Sequence, residues 1–294
     1  MSRLLLAAIV MLCCTVPAAS AAEPVNPQTF AISGSEVKTL RSKTLGRTYD
    51  LYIKLPPGYD AEKNSKRLYP VVYLNDGGYC WLTAVGVTRA PFNLGGYEKA
   101  ILIGLSYAWG EDGFDSRTRD LTPTKAQDWS RVTGGAKDYL NFLKNEVLPV
   151  VETNFRADPQ RRMLVGQSFG GLFGAYALLE EPGLFQDYVL TSPSLWFDNE
   201  ALFELQEQVA KKGTRLSGRV YFAVGETETP AINSGRHDMV GQQAELAHRL
   251  RSLEHKDLIV KDEVIPEGTH LTTFPIGFTR ALRWLLPGKK PFAG

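Results

Sequence analysis

Cysteine is scarce in this chain of 294 residues: three occur, and two of them, Cys13 and Cys14, stand side by side near its beginning. Residues 1–22 read as a segment that is removed, which leaves Cys80 alone and excludes an internal disulfide. A domain of about 270 residues buries enough apolar surface to fold without one, even in an oxidising compartment. Net charge is lacking too. Lysine and arginine number 33 against 32 acidic residues, and Arg3 leaves with the leading segment, so the mature chain balances at zero. That balance excludes the clustered basic stripe with which proteins hold nucleic acid. Only four histidines occur, and no group of His, Cys, Asp or Glu has the spacing of a ligand set, so neither a metal nor an organic cofactor is implied. Beyond the leading segment no run approaches roughly 18 continuous apolar residues, which argues against a membrane span and predicts a soluble mature protein. No heptad or apolar surface stripe is visible, and the oligomeric state stays open.

The leading segment has one early positive charge at Arg3, an apolar run over residues 4–16, and the small residues Ala18, Ala19, Ser20, Ala21 and Ala22 before Glu23. This is the layout of a secretory signal peptide, with cleavage after Ala21 or Ala22. It predicts a periplasmic protein, or a fully secreted one, which would look the same. A lipid anchor at Cys13 or Cys14 is the alternative, but the residue before each is Leu12 or another cysteine, where a small residue is wanted.

Residues 23–36, rich in Pro, Asn and Ser, read as a flexible lead-in, and residues 37–294 as one domain with no internal repeat and no low-complexity linker. Over 37–56 polar and apolar residues alternate, as at Tyr49, Leu51, Ile53 and Leu55, around a turn at Gly46, which predicts an antiparallel hairpin at a sheet edge. Short apolar runs follow at 69–74, 101–105, 163–165, 188–190, 220–224 and 258–264. Stretches with helical spacing separate most of them. The clearest places Tyr139, Leu143, Val147, Val150 and Val151 on one face. Strands alternating with amphipathic helices call for an α/β fold with a mostly parallel sheet covered on both faces. The segment 106–131 breaks the rhythm. It is rich in Gly, Asp and Arg and lacks helical period, so it is expected as a long irregular loop overhanging the site.

Gly166-Gln167-Ser168-Phe169-Gly170-Gly171 sits between a strand-like run and a helix-like one. Glycines flanking a serine at such a junction allow a turn sharp enough to push the hydroxyl out above the sheet, as in a nucleophile elbow. An ordinary serine is a poor nucleophile and needs a base, itself oriented by a carboxylate. His270 lies in a loop directly after the last strand, in Pro266-Glu267-Gly268-Thr269-His270, and is the candidate base. His237, in a polar loop, is the alternative, while His248 and His255 fall on a helix and a charged loop. The acid should follow the strand 220–224, where Gly225-Glu226-Thr227-Glu228 offers Glu228, with the longer reach, or Glu226. Asp198 comes one strand too early. Donors for a developing oxyanion are expected from the backbone amide of Phe169 and from Gly77 or Gly78 in the turn Asn75-Asp76-Gly77-Gly78-Tyr79.

These segments, together with Arg119-Asp120-Leu121-Thr122-Pro123, make the chain resemble the esterase D-like putative esterases over roughly residues 37–286. The resemblance implies an α/β-hydrolase fold and a serine carboxylesterase. The family includes siderophore esterases that cut enterobactin-type trilactones, feruloyl and acetyl-xylan esterases, S-formylglutathione hydrolase and mycolyl transferases. The exported chain with its Arg-Asp-Leu-Thr-Pro segment is most similar to periplasmic siderophore esterases, which implies a small-molecule ester, a free or ferric tricatecholate, as substrate. Feruloyl, acetyl or general short-acyl esters are the alternative, followed by acyl transfer and by a non-catalytic binding role. By the same analogy Arg117 and Arg119 would meet a catecholate or carboxylate, and Tyr79, Trp81, Tyr107 or Trp109 would stack on an aromatic ring. The other reading of the arginines is that Arg119 and Asp120 pair to hold their loop.

Overall fold

The computed structural model describes residues 31–232 and 236–289. The chain divides after Ile32, and every described strand and helix belongs to the unit that starts at Ser33. The expected signal peptide, residues 1–22, and most of the expected lead-in lie outside the described residues.

In chain order the elements are β1 (Ser35–Arg41), β2 (Thr48–Lys54), β3 (Tyr69–Leu74), α1 (Gly77–Leu94), β4 (Ile101–Leu105), α2 (Gly113–Leu121), α3 (Ala136–Phe142), a π-helical turn (Leu143–Val147), α4 (Leu148–Asn154), β5 (Ala157–Gln167), α5 (Phe169–Glu180), β6 (Asp187–Thr191), α6 (Phe197–Lys211), β7 (Gly218–Gly225), α7 (Met239–Ser252), β8 (Leu258–Ile265) and α8 (Thr273–Leu285). The strands form one eight-stranded sheet in the order β1-β2-β4-β3-β5-β6-β7-β8. The expected hairpin is β1 and β2, paired antiparallel at the edge with Ser35 opposite Lys54. β2 runs antiparallel to β4, and every later pair is parallel.

Parallel strands are joined by crossover helices, so both faces of the sheet are covered and the strands read as unbroken apolar runs. All residues of β3, β4 and β6 are buried. α1 and α8 pack together on one face. On the other, Leu164, Leu190 and Phe222 from the sheet meet Phe173 of α5 and Leu246 and Leu250 of α7 in the principal core. The stripe Tyr139, Leu143, Val147 and Val151 is buried in that core. Residues spaced by four drift by about 40° per step around an ideal α-helix. The π-helical turn between α3 and α4, with more residues per turn, unwinds that drift and keeps the stripe facing inward.

Two expectations are corrected. The segment 106–131 is not wholly irregular: α2 occupies Gly113–Leu121, its N-terminus capped by Asp112, whose side chain accepts from the Phe114 amide. The helix has no apolar period because the face it buries is polar. Ser116, Arg117, Thr118 and Asp120 are all buried, and Asp120 accepts from Tyr49 Oη at 2.8 Å and from Ser116 Oγ at 3.2 Å. The glycines after β3 likewise belong to a helix and not to a free turn, since α1 starts at Gly77. A Cβ on Gly77 would lie 2.5 Å from the Leu105 carbonyl, so glycine lets this helix start close to the end of β4, and a Cβ on Gly78 would lie 2.8 Å from the Tyr107 ring.

Candidate active site

Ser168, Glu228 and His270 arrive at one edge of the sheet for a topological reason. They follow β5, β7 and β8, which are parallel, so their loops leave from the same carboxyl ends.

Ser168 has φ 60 and ψ −117, a backbone that a serine adopts only when its surroundings hold it there. Its amide donates to Thr191 O at 3.0 Å, and its carbonyl accepts from Leu172 at 2.9 Å and Ser194 at 3.1 Å. A Cβ on Gly166 would fall 2.1 Å from the Gly170 carbonyl, so the tightness of this turn requires glycine there. The side chain of Gln167 reaches across and donates to His270 O at 2.7 Å, tying the serine's turn to the histidine's loop.

Of the two glutamates after β7, Glu228 meets the histidine: His270 Nδ1 and Glu228 Oε2 are 2.6 Å apart. Glu226 turns away and accepts from the Glu267 amide at 2.8 Å, while Thr227 bonds Gly268 O through both its amide and its hydroxyl. These bonds knit the two loops together. The other oxygen of Glu228 accepts from Ser192 Oγ at 2.6 Å, the Gly225 amide at 2.8 Å and Thr273 Oγ1 at 3.1 Å. Burial alone would raise its pKa, but the bonds from His270, Ser192 and Gly225 outweigh burial and hold the carboxyl below its ordinary value. Glu228 is therefore an ionised acceptor at neutral pH. Its partner Nδ1 must carry the proton, which leaves Nε2 with a lone pair as the basic nitrogen.

A cavity of about 510 Å³ opens over these groups, with Ser168, Ser194, Glu228 and His270 on one side and Trp196, His237 and Met239 among its other walls. Ser168 Oγ is 3.1 Å from Ser194 Oγ, and among the described residues it makes no hydrogen bond to His270. Catalytic bonds of this kind often tighten only with substrate in place. The amides of Phe169 and of Gly77 and Gly78 open α5 and α1, where N–H groups have no acceptor within their own helix.

The residues expected to meet substrate lie elsewhere, and none of them lines this cavity. Arg117 is buried in a bidentate pair with Asp76, at 2.9 and 2.7 Å. Arg119 pairs with Asp120 at 2.8 Å and with Glu111. Trp81 is buried against Gly104, and Trp109 is exposed and donates to Asp50 at 3.0 Å. Tyr79, exposed, and Tyr107 meet edge to face.

Sequence reasoning missed Ser192, Ser194 and Trp196, though Ser192-Pro193-Ser194-Leu195-Trp196 directly follows β6, between the strands that carry the serine and the acid. Polar residues at that edge were the available signal. His237, considered only as an alternative base, is stacked on Trp196 with ring centroids 4.0 Å apart and planes 8° from parallel. Burial and then the neighbouring Arg236 lower its pKa, so it stands there as a neutral ring.

Comparison with known proteins identifies the family and the fold. The family model described as putative esterase matches residues 42–282. The ferri-bacillibactin esterase BesA of Bacillus subtilis is 28% identical over 87% of this chain and 91% of its own length. The solved structure of the BES protein from Bacillus cereus superposes with a TM-score of 0.76 at 27% identity, covering 90% of this chain and 98% of that one. The IroE-like serine hydrolase from Shewanella oneidensis gives a TM-score of 0.71 at 29% identity, over 86% of this chain and 80% of that one. With an α/β-hydrolase sheet that gathers a serine, a histidine and a carboxylate at one edge, the chain belongs to the putative esterase family and is a carboxylic ester hydrolase.

Proposed function

We propose that the protein is a serine esterase that works through an acyl-enzyme, with Ser168 as nucleophile, His270 as base and Glu228 as the orienting acid. The observation that carries this reading is the Glu228–His270 contact of 2.6 Å over the cavity that Ser168 also lines. As Ser168 Oγ attacks the ester carbonyl, its proton passes to His270 Nε2, and the imidazolium is stabilised by the ionised Glu228. The carbonyl oxygen becomes an alkoxide, supported by the amides of Phe169 and of Gly77 or Gly78. Collapse expels the alcohol, which takes the proton from His270. Water then attacks the acyl-serine, giving a proton to His270, and the adduct collapses to release the acid as that proton returns to Ser168 Oγ.

For the substrate we propose a siderophore ester of the tricatecholate type, cut to release iron by an exported, periplasmic enzyme. Relatives named for ferri-bacillibactin and enterobactin support the siderophore, the former along most of the chain. Trp196, with the neutral His237 ring against it, offers an aromatic wall beside the serine, suited to a flat ring. The signal-like residues 1–22 support export.

The test is a mass-spectrometric time course of the protein with ferric enterobactin, a feruloyl ester and p-nitrophenyl acetate, beside the Ser168→Ala variant. Linear dihydroxybenzoyl-serine products forming well ahead of the other products, and absent with the variant, are expected. An intact siderophore beside rapidly cut controls would move the substrate to feruloyl or short-acyl esters and leave the serine chemistry standing.

A further inference from the structure

Asp76 and Arg117 form a buried ion pair at a position where neither touches the cavity. Their side chains are 2% and 9% exposed and share two hydrogen bonds, at 2.9 and 2.7 Å. Desolvating two charges costs about as much as their attraction returns, so such a pair is weak evidence of a stabilising device. Its surroundings indicate another role. Asp76 is the N-cap of α1, yet its side chain bonds no amide of that helix and its φ is 55, a left-handed conformation that a non-glycine residue holds at a cost. The carboxylate is turned toward α5 instead. A Cβ on Gly170 would lie 3.2 Å from it. Tyr107 Oη donates to the same carboxylate at 3.2 Å while its ring lies against Gly78. The guanidinium carbon of Arg117 lies 5.2 Å from the centroid of the Phe169 ring, within range of a cation–π contact.

We infer that the Asp76–Arg117 pair is a brace that fixes the two halves of the oxyanion site, the opening amides of α1 at Gly77 and Gly78 and the amide of Phe169, at one spacing. The inference rests on the proposed serine mechanism and deepens it. Arg117 holds the α1 end through the carboxylate beside Gly77 and the α5 end through the ring of Phe169. It also neutralises a carboxylate that would otherwise repel the alkoxide. Arg117 and Asp76 are thus positioning residues, and Arg117 is not a ligand for the substrate. A brace of this kind matters only when charge appears on the carbonyl oxygen, so its loss should affect kcat and spare KM.

The experiment compares wild type, Arg117→Ala, Arg117→Lys, Asp76→Asn and Ser168→Ala on a neutral p-nitrophenyl ester and on an anionic aromatic ester, with melting curves for each. Arg117→Ala should lower kcat about ten- to a hundredfold on both esters, less than or equal to the loss of a direct oxyanion donor, with KM held within about threefold. Added guanidinium at millimolar concentration should restore part of that kcat. Arg117→Lys should stay impaired, because a point charge cannot make the bidentate fork. If Arg117→Ala fails to melt cooperatively, Asp76→Asn, which keeps the shape, carries the test with the same expected split. Unchanged kcat, or a KM that rises for the anionic ester alone, would overturn the brace. If Ser168→Ala is inert while the Arg117 variants keep full kcat, the brace alone falls. If Ser168→Ala still turns over, the serine reading falls with it.

Discussion

Glu228 accepts four hydrogen bonds, from Ser192, Gly225, Thr273 and His270, and this concentration of donors on one carboxylate sets the chemistry of the site. Replacing it by Gln would leave the shape but remove the charge that fixes the His270 tautomer. A fall in kcat of several orders of magnitude is expected, beside a change of a few-fold for Glu226→Gln, measured on one chromogenic ester. The pH dependence follows from the lowered pKa. A depressed carboxyl stabilises the fold above its unfolded value, about 4.3, and that contribution is lost as pH falls through the still lower folded value. The difference in Tm between wild type and Glu228→Gln should therefore be constant near neutrality and shrink in acid below about pH 4. Gln167→Ala, which unties the serine's turn from the His270 carbonyl, should lower kcat several-fold with little change in Tm. Ser168, Glu228 and His270 were legible as candidates because each directly follows a strand-like run, and chain order alone offered Glu228 and Glu226 together. The side of the turn on which each glutamate falls depends on the bonds between the β7 and β8 loops, and no local pattern encodes those.

At the scale of elements, strands and helices were readable where burial is apolar. The hairpin β1–β2 follows from alternation, and the inner strands from unbroken apolar runs. α2 was missed because it buries Arg117 and Asp120 in ion pairs and hydrogen bonds to Asp76 and Tyr49, residues distant in sequence, which periodicity in hydropathy does not detect. The start of α1 at Gly77 was hidden for a related reason, since paired glycines read as a turn until Tyr107 is seen against them. The junction of β5 and α5 carries the sharpest prediction. In Gly166→Ala the new methyl would meet the Gly170 backbone at 2.1 Å, and no side-chain rotation relieves it. The variant should lose about 3 kcal/mol or more, a drop in Tm of roughly 10 °C in a calorimetric scan, and lose esterase activity with it.

For the molecule as a whole, one sheet with both faces covered brings residues from the loops after β3, β5, β6, β7 and β8 to a single edge, and a chain of this size needs no disulfide to do so. Cys80, on α1, is buried, and burial first, then the nearby Asp76, raises its thiol well above the ordinary range. A chain beginning at Glu23 should show no thiol reactive toward Ellman's reagent while folded and one after unfolding in guanidinium, with a Tm unchanged by reductant. Peptide mass mapping, after p-nitrophenyl acetate is mixed with the protein and quenched in acid within the first turnovers, decides whether Ser168 is the nucleophile. Ser168 as nucleophile predicts an acetyl group on the peptide containing that residue, adduct and turnover both sharply reduced in His270→Ala, which lacks the base for acylation, and neither adduct nor turnover in Ser168→Ala. Full turnover in Ser168→Ala, or the acetyl group on a different residue, would contradict it.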